Sequence, residues 1–197
     1  MQEGKESYGL KLLAYCLMPN HFHLLVRPEK GEELSRWMQW LMTSHVRRYH
    51  RHYGTSGHVW QGRYKSFIVQ EDEHLITIVR YIEANPVRAQ LSESAKSWVW
   101  SSHGRRVEGV KGVLFDDLPI LLPASWTEYV DTPMTDGEIE RVRICLNRQA
   151  PYGKEDWQEK LCKYFGLEST IRPRGRPFKG AKSSLPLSIR SPSGVWL

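Results

Sequence analysis

Residues 15–28, YCLMPNHFHLLVRP, decide the fold, because a Pro-Asn turn joins two apolar segments of β-type composition there. Side chains alternate between the two faces of a strand, so His21 and His23 should share one face while Phe22 and Leu24 occupy the other. The two imidazoles would then stand side by side, with their Cα atoms about 6 to 7 Å apart. The stretch therefore predicts an antiparallel hairpin with a histidine pair on one face and a hydrophobic core on the other.

The flanking patterns extend this hairpin into a mixed fold. We expect strands over residues 9–17, 21–27 and 60–69, and helices over residues 31–53, 71–85 (ending at Pro86), 136–148 and 154–165. Strands and helices in this order predict an α+β fold, in which helices pack on a small antiparallel sheet. Residues 103–133 show no clear pattern, and the segment from residue 172, rich in Pro, Gly and Ser, is expected to be mobile.

The composition restricts the class of protein. A chain of 197 residues that is 40% hydrophobic and 25% charged can form one core and carry an appendage. Its three cysteines (Cys16, Cys145 and Cys162) form no CxxC pair, which argues against a disulfide framework or a zinc ribbon. No signal peptide and no apolar run near the ~20 residues of a membrane span are present, so we expect a cytoplasmic protein.

Positive charge is concentrated in two parts of the chain. The net charge is +6, and residues 169–197 contain six basic residues and no acidic ones. Residues 34–70 also lack Asp and Glu, and their basic residues are Arg36, Arg47, Arg48, Arg51, Arg63 and Lys65. Surfaces that carry only positive charge favour binding of a polyphosphate partner such as a nucleic acid. A basic helix face exposed to solvent gives the same sequence pattern.

The tail carries a motif of its own, RPRGRPFKG at residues 172–180. Arg174 and Arg176 flank a glycine as in an AT-hook, a flat segment that lies in the narrow minor groove of A·T-rich DNA. A generic basic tail held by phosphates alone explains the motif equally well.

The helix predicted over residues 71–85 presents a polar flank beside an apolar stripe. His74, Tyr81 and Asn85 fall within roughly 40° of one another on a helical projection. Tyr81 and Asn85 are neighbours at i, i+4 and can project into one pocket. Taken singly, Tyr81 also fits a core rim and Asn85 a turn before Pro86. His74 fits an extra ligand, a proton shuttle or a surface histidine.

Four phrases, AYCLMPNHFHLLV, GHVWQGRYKSF, YIEANPVRAQL and WVWSS, occur in this order over residues 9–102. Together they resemble the HUH single-tyrosine transposases, and specifically the REP-associated tyrosine transposases with an insertion-sequence 200-like domain. The resemblance implies that His21, His23 and Asn85 bind Mg²⁺ or Mn²⁺ and that Tyr81 attacks DNA.

The resemblance also implies a domain order. Residues 1–102 would form a ferredoxin-like HUH catalytic domain that lacks its first strand and helix, because Met1 lies close to the first predicted strand. Residues 103–168 would form an accessory region, and residues 169–197 a flexible basic tail.

The implied function is cleavage and rejoining of single-stranded or hairpin DNA by a monomer or homodimer. Tyr81 would form a 5′-phosphotyrosine while the metal polarises the phosphodiester. Residues expected to contact DNA are Arg47, Arg48, Arg51, Arg63, Lys65, Arg174 and Arg176. The alternative is an inactive, truncated transposase remnant that binds DNA without cutting it.

Overall fold

An antiparallel hairpin lies at the centre of the structure, a computed structural model that describes residues 2–109, 114–173 and 195–196. Strand β1 (Leu10–Leu17) pairs with β2 (Phe22–Pro28), and Leu17 faces Phe22 next to the turn. The register shifts between Leu12 and Ala14, which leaves Leu13 as the extra residue of a bulge. The hairpin predicted from residues 15–28 is therefore confirmed.

Two short strands extend the hairpin into a four-stranded antiparallel sheet. Strands β3 (Ile68–Val69) and β4 (Val195–Trp196) give the order β1-β2-β4-β3. The strand predicted over residues 60–69 was wrong for residues 60–67, which pair with no other strand of the described residues. Trp60 bridges α2 and the hairpin from this segment, since its indole donates to the Met42 carbonyl at 3.3 Å and its ring packs on Phe22.

Helices α1 (Gln2–Ser7) and α2 (Gly31–Tyr53) cover one face of the sheet. The predicted bounds of α2, residues 31–53, are confirmed. Glu33 accepts a hydrogen bond from the Lys30 amide at the start of α2, and Gly54 ends the helix at φ 62°, a left-handed conformation that favours glycine. The buried face of α2 presents Leu34, Trp37 and Met38 to the side chains of the hairpin.

Helix α3 (Glu73–Glu83) packs on the opposite face of the hairpin, where Ile78 and Ile82 join Leu13 and Leu25 in the larger core cluster. The prediction of one helix over residues 71–85 that ends at Pro86 was wrong at its end. A separate one-turn helix, α4 (Asn85–Arg88), follows α3 and includes Pro86. Proline is tolerated there because its missing amide hydrogen has no helical partner in a first turn.

Of the remaining helices, α6 (Trp126–Asp131) packs against α3, and α6 and α7 (Asp136–Arg148) supply residues such as Trp126 and Val142 to the same core. Helices α5 (Ser102–Val107) and α6 fall in or overlap residues 103–133, for which the sequence gave no pattern. Helices α7 and α8 (Glu155–Phe165) confirm the two predicted C-terminal helices, and α9 (Glu168–Ile171) follows them. The core cluster contains residues on both sides of position 102, such as Ile78 and Val142.

The α+β class, with helices on a small antiparallel sheet, is confirmed by this arrangement. The three cysteines are buried and unpaired. No helix in the described part of the chain has the length and apolarity needed to cross a bilayer. Residues 174–194, which include most of the predicted mobile tail and its AT-hook-like motif, lie outside the described residues.

Candidate functional site

The histidine pair lies where the hairpin turn meets β2. The Met18 amide donates to the His21 carbonyl at 2.9 Å and closes the turn, and His23 follows on the strand. The ring centroids of His21 and His23 are 5.1 Å apart and the rings are perpendicular. Phe22, between them, packs its ring against Trp60 at 5.5 Å. Strand alternation thus brings the two imidazoles into contact with each other.

Helix α3 places Tyr81 against this pair. The ring centroids of Tyr81 and His23 are 5.7 Å apart, with the planes at 86°. Tyr81 is 3% exposed, so its phenol is enclosed by the surrounding side chains. The helix that carries Tyr81 therefore meets the strand that carries His23.

Asn85 lies at the break between α3 and α4 and is also buried. Its Nδ2 donates to the carbonyls of Tyr81 and Ile82, at 2.8 and 3.3 Å. Carbonyls in the last turn of a helix lack helical partners, and this side chain satisfies two of them. Asn85 and Tyr81 are consequently held in a fixed relative position at the edge of the hairpin.

Arg88, which the sequence reasoning missed, completes this group of side chains. Its guanidinium carbon lies 4.3 Å from the ring centroid of Tyr81, and its Nη2 donates to Asn85 Oδ1. The signal was present in the phrase YIEANPVRAQL, since residues 81, 85 and 88 are spaced at i, i+4 and i+7.

Burial keeps both histidines in the neutral form. It lowers the pKa of His23 to about 3, helped by the neighbouring His21 and the positive charge of Arg88. Burial and Arg88 likewise lower the pKa of His21. Neutral imidazoles offer a nitrogen lone pair, and the Asn85 amide oxygen has a second lone pair beyond the one that Arg88 uses. Imidazole nitrogens and an amide oxygen are donor types that divalent cations bind.

A second group of metal-type ligands lies at the start of α3, where oxygen and nitrogen atoms of Asp72, Glu73 and His74 fall within 4.8 Å of one another. The Lys154 ammonium lies 3.2 Å from Glu73 and supplies positive charge to this group. His74 is buried, bonds Asp72 at 2.6 Å and contacts the Tyr152 ring. The expectation of a surface histidine was therefore wrong, and a role for His74 as an extra ligand stays a prediction.

Most of the predicted DNA-contacting residues are exposed. Arg47, Arg48 and Arg51 lie on the outer face of α2, and Arg47 lines a shallow groove together with Trp60. Arg63 and Lys65 are exposed in the segment that leads to β3, where Lys65 donates to Asn147 at 2.9 Å. Arg174 and Arg176 lie outside the described residues.

A buried polar network, also missed from the sequence, fixes the end of α3. Glu83 is fully buried and accepts hydrogen bonds from four side chains: Ser102 at 2.6 Å, His103 at 2.8 Å, Trp126 at 2.8 Å and Arg106 at 3.0 Å. Arg106 also donates to the Leu13 carbonyl. The network therefore ties α3 to α5, α6 and β1, two residues from Tyr81.

Comparison with known proteins gives two matches. Residues 1–85 match the family model of IS200-like transposases. A Haemophilus influenzae protein named as a REP-associated tyrosine transposase is 30% identical over 114 residues, which cover 52% of this chain and 64% of the relative. The chain thus spans less than two thirds of that relative's length. No solved structure matches the chain at a significant level.

Proposed function

Because residues 1–85 match the family model of IS200-like transposases, we propose that the protein cuts and rejoins single-stranded DNA with Tyr81 as the nucleophile. One observation carries the proposal. The Tyr81 ring lies 5.7 Å from His23, whose ring lies 5.1 Å from His21. Asn85 Nδ2 donates to the Tyr81 carbonyl, so the amide is held to the helical turn that carries the phenol.

The proposed reaction is a transesterification. The Tyr81 oxygen attacks the phosphorus, the new O–P bond forms as the P–O3′ bond breaks, and the phenolic proton passes to water. The leaving 3′ oxygen takes up a proton, which gives a 5′-phosphotyrosine and a free 3′-hydroxyl. Since the phosphodiester is conserved in the covalent link, a second 3′-hydroxyl can reverse the step, and joining requires no ATP.

In this proposal His21, His23 and Asn85 hold the metal, Mg²⁺ or Mn²⁺. The bound ion would polarise the scissile phosphodiester and offset the charge on the departing oxygen. The low pKa of His23 supports this role, because an imidazole that stays neutral need not lose a proton before it binds a cation.

The DNA would lie along the exposed basic residues of α2 and the following loop. Arg47, Arg48, Arg51 and Arg63 are all exposed and can contact phosphates without rearrangement of the core. Lys65 and the tail arginines Arg174 and Arg176 would add contacts. We propose hairpin-containing single strands as the substrates, and a monomer or homodimer in the cytoplasm as the acting form.

Cleavage is tested by incubating the full chain with end-labelled hairpin-bearing single strands and Mn²⁺. We expect a protein–DNA adduct that survives denaturation and disappears in Tyr81→Phe. A matched control is Tyr129→Phe, because Tyr129 is also stacked by an arginine, with the Arg80 guanidinium carbon 4.1 Å from its ring centroid. An adduct of equal yield in Tyr81→Phe would contradict the proposed role of Tyr81.

The low exposure of Tyr81, 3%, favours one alternative, a DNA-binding remnant of a transposase. Such a protein would keep the exposed arginines of α2 and bind hairpin DNA without cutting it. The same assay separates the two functions, because the remnant retards the labelled strand on a native gel and gives no adduct under denaturing conditions.

A further inference from the structure

We propose that Arg88 binds the scissile phosphate. Its guanidinium donates a hydrogen bond to a non-bridging oxygen while Tyr81 attacks the phosphorus. This inference rests on the proposed function and extends it, since it assigns the side chain that recognises the anionic part of the substrate.

The position of the guanidinium is fixed on two sides. It stacks on the Tyr81 ring, with its central carbon 4.3 Å from the ring centroid, and its Nη2 donates to Asn85 Oδ1. Its Nη1 is buried and has no hydrogen-bond partner among the residues that the structure describes. A buried donor without a partner is unfavourable, and an incoming phosphate oxygen would satisfy it.

The charges around Arg88 favour an anion. Tyr81 and Asn85, the side chains that hold the guanidinium, carry no carboxylate. A guanidinium beside neutral groups matches a phosphate in both charge and geometry, because its planar fork donates to two oxygens at once.

Arg80, on the same helix as Tyr81, shows what a structural arginine looks like in this protein. It also stacks on a tyrosine, and its Nε is likewise buried without a partner among the described residues, but both of its terminal nitrogens have partners. Nη2 donates to the Thr132 carbonyl at 2.9 Å, and Nη1 lies 3.5 Å from a Glu138 oxygen. Arg88 differs in the feature that matters for a ligand, since one of its terminal donors is buried and unused.

Binding is tested with the full chain and hairpin-bearing single-stranded DNA over a range of salt concentrations. Arg88→Gln should lose one phosphate contact. The slope of the logarithm of the DNA association constant against log [salt] should therefore become smaller in magnitude by about 0.7. Arg80→Gln, which removes a stacked arginine elsewhere, should leave the slope unchanged. An unchanged slope in Arg88→Gln would overturn the inference, and this readout needs no cleavage.

Cleavage supplies the second readout. Arg88→Gln should form the Tyr81 adduct about 10² to 10³ times more slowly, the usual effect of removing one donor to a developing charge. Arg88→Lys should recover only part of the rate, and added guanidinium should accelerate Arg88→Ala but not Tyr81→Phe. If Arg88→Gln cuts at the wild-type rate, the inference fails while the proposed function stands. If the wild type forms no adduct, the proposed function fails, and the salt slope still decides whether Arg88 binds phosphate.

Discussion

At the scale of single residues, Asn85 connects the parts of the candidate site through one side-chain amide. Its nitrogen bonds the carbonyls of Tyr81 and Ile82, and its oxygen accepts from Arg88. The same amide therefore ends α3 and fixes the guanidinium that stacks on Tyr81. A residue that the sequence also explains as a simple turn former has a structural role here in addition to its proposed role as a metal ligand.

We expect Asn85→Ala to lower the free energy of unfolding by about 1 to 3 kcal/mol, because it removes buried hydrogen bonds to the Tyr81 carbonyl and the Arg88 guanidinium. Urea unfolding at pH 7 measures this change. Asn147→Ala is the matched control, since its amide bonds Lys65 on the surface, and it should change stability by less than about 0.5 kcal/mol. Equal changes in the two variants would contradict the account of Asn85.

The sequence predicted part of this residue-level arrangement. The helical period places Tyr81 and Asn85 one turn apart, and strand alternation pairs His21 with His23. Arg88 was not predicted, because its position depends on the break at Ala84, where α3 ends and α4 begins. Nor can a helical projection show that a guanidinium stacks on one ring and bonds one amide.

At the scale of elements, the buried Glu83 fixes the helix that carries Tyr81. Burial alone would raise the pKa of Glu83, but the hydrogen bond from His103, the charge of Arg106 and the hydrogen bond from Ser102 outweigh it and hold the pKa below its usual range. A carboxylate with a lowered pKa in the folded state stabilises the fold above its unfolded-state pKa. That stabilisation is lost as the pH falls from there through the folded-state pKa.

We expect Glu83→Gln to lower the free energy of unfolding at pH 7 by about 3 to 5 kcal/mol, because Arg106 then loses its buried partner. The wild type should lose this extra stability as the pH falls below about 4.3, the ordinary pKa of a glutamate. The free energies of unfolding of the two proteins should therefore become similar in acid. Urea unfolding at pH 7, 5 and 3.5 measures the difference. Glu159→Gln, at an exposed position on α8, should follow the wild type throughout. A Glu83→Gln difference that is constant with pH would contradict the account.

Elements with a long regular period were the ones that the sequence predicted well. The 23-residue helix α2 was found with its bounds, because many turns repeat the same apolar spacing. The six-residue helices α5 and α6 have too few turns to show a period, and their side chains Ser102, His103 and Trp126 bond Glu83 far away in sequence. The strand prediction was wrong for residues 60–67 because aromatic residues suit a loop packed on a helix as well as they suit a strand.

At the scale of the whole molecule, exposed positive charge lies on the helix that covers the face of the hairpin opposite α3. The arginines of α2 belong to a segment, residues 34–70, that contains no acidic residue. The sequence predicted this separation of charge, because counting acidic and basic residues along the chain does not depend on how the helices and strands pack. The domain boundary at residue 102 stays a prediction, and the core cluster that crosses it joins α3 to α6 and α7.

We expect the triple variant Arg47→Gln, Arg48→Gln, Arg51→Gln to reduce the salt slope of single-stranded DNA binding by about 2, since each phosphate contact contributes roughly 0.7. Fluorescence anisotropy with a labelled hairpin strand measures it. A control with the same change in net charge neutralises Arg143, Lys160 and Lys163, which are exposed on α7 and α8. If both triple variants reduce the slope equally, DNA binding follows net charge and not the basic face of α2.

The most direct test of the central claim is to locate the covalent bond between protein and DNA. The wild-type chain is incubated with a hairpin-bearing strand and Mn²⁺, digested with protease and nuclease, and analysed by tandem mass spectrometry. The account predicts a nucleotide 5′-phosphate on the peptide that contains Tyr81, at the phenolic oxygen. Attachment at another residue, or no attached nucleotide while the DNA remains bound, would contradict it.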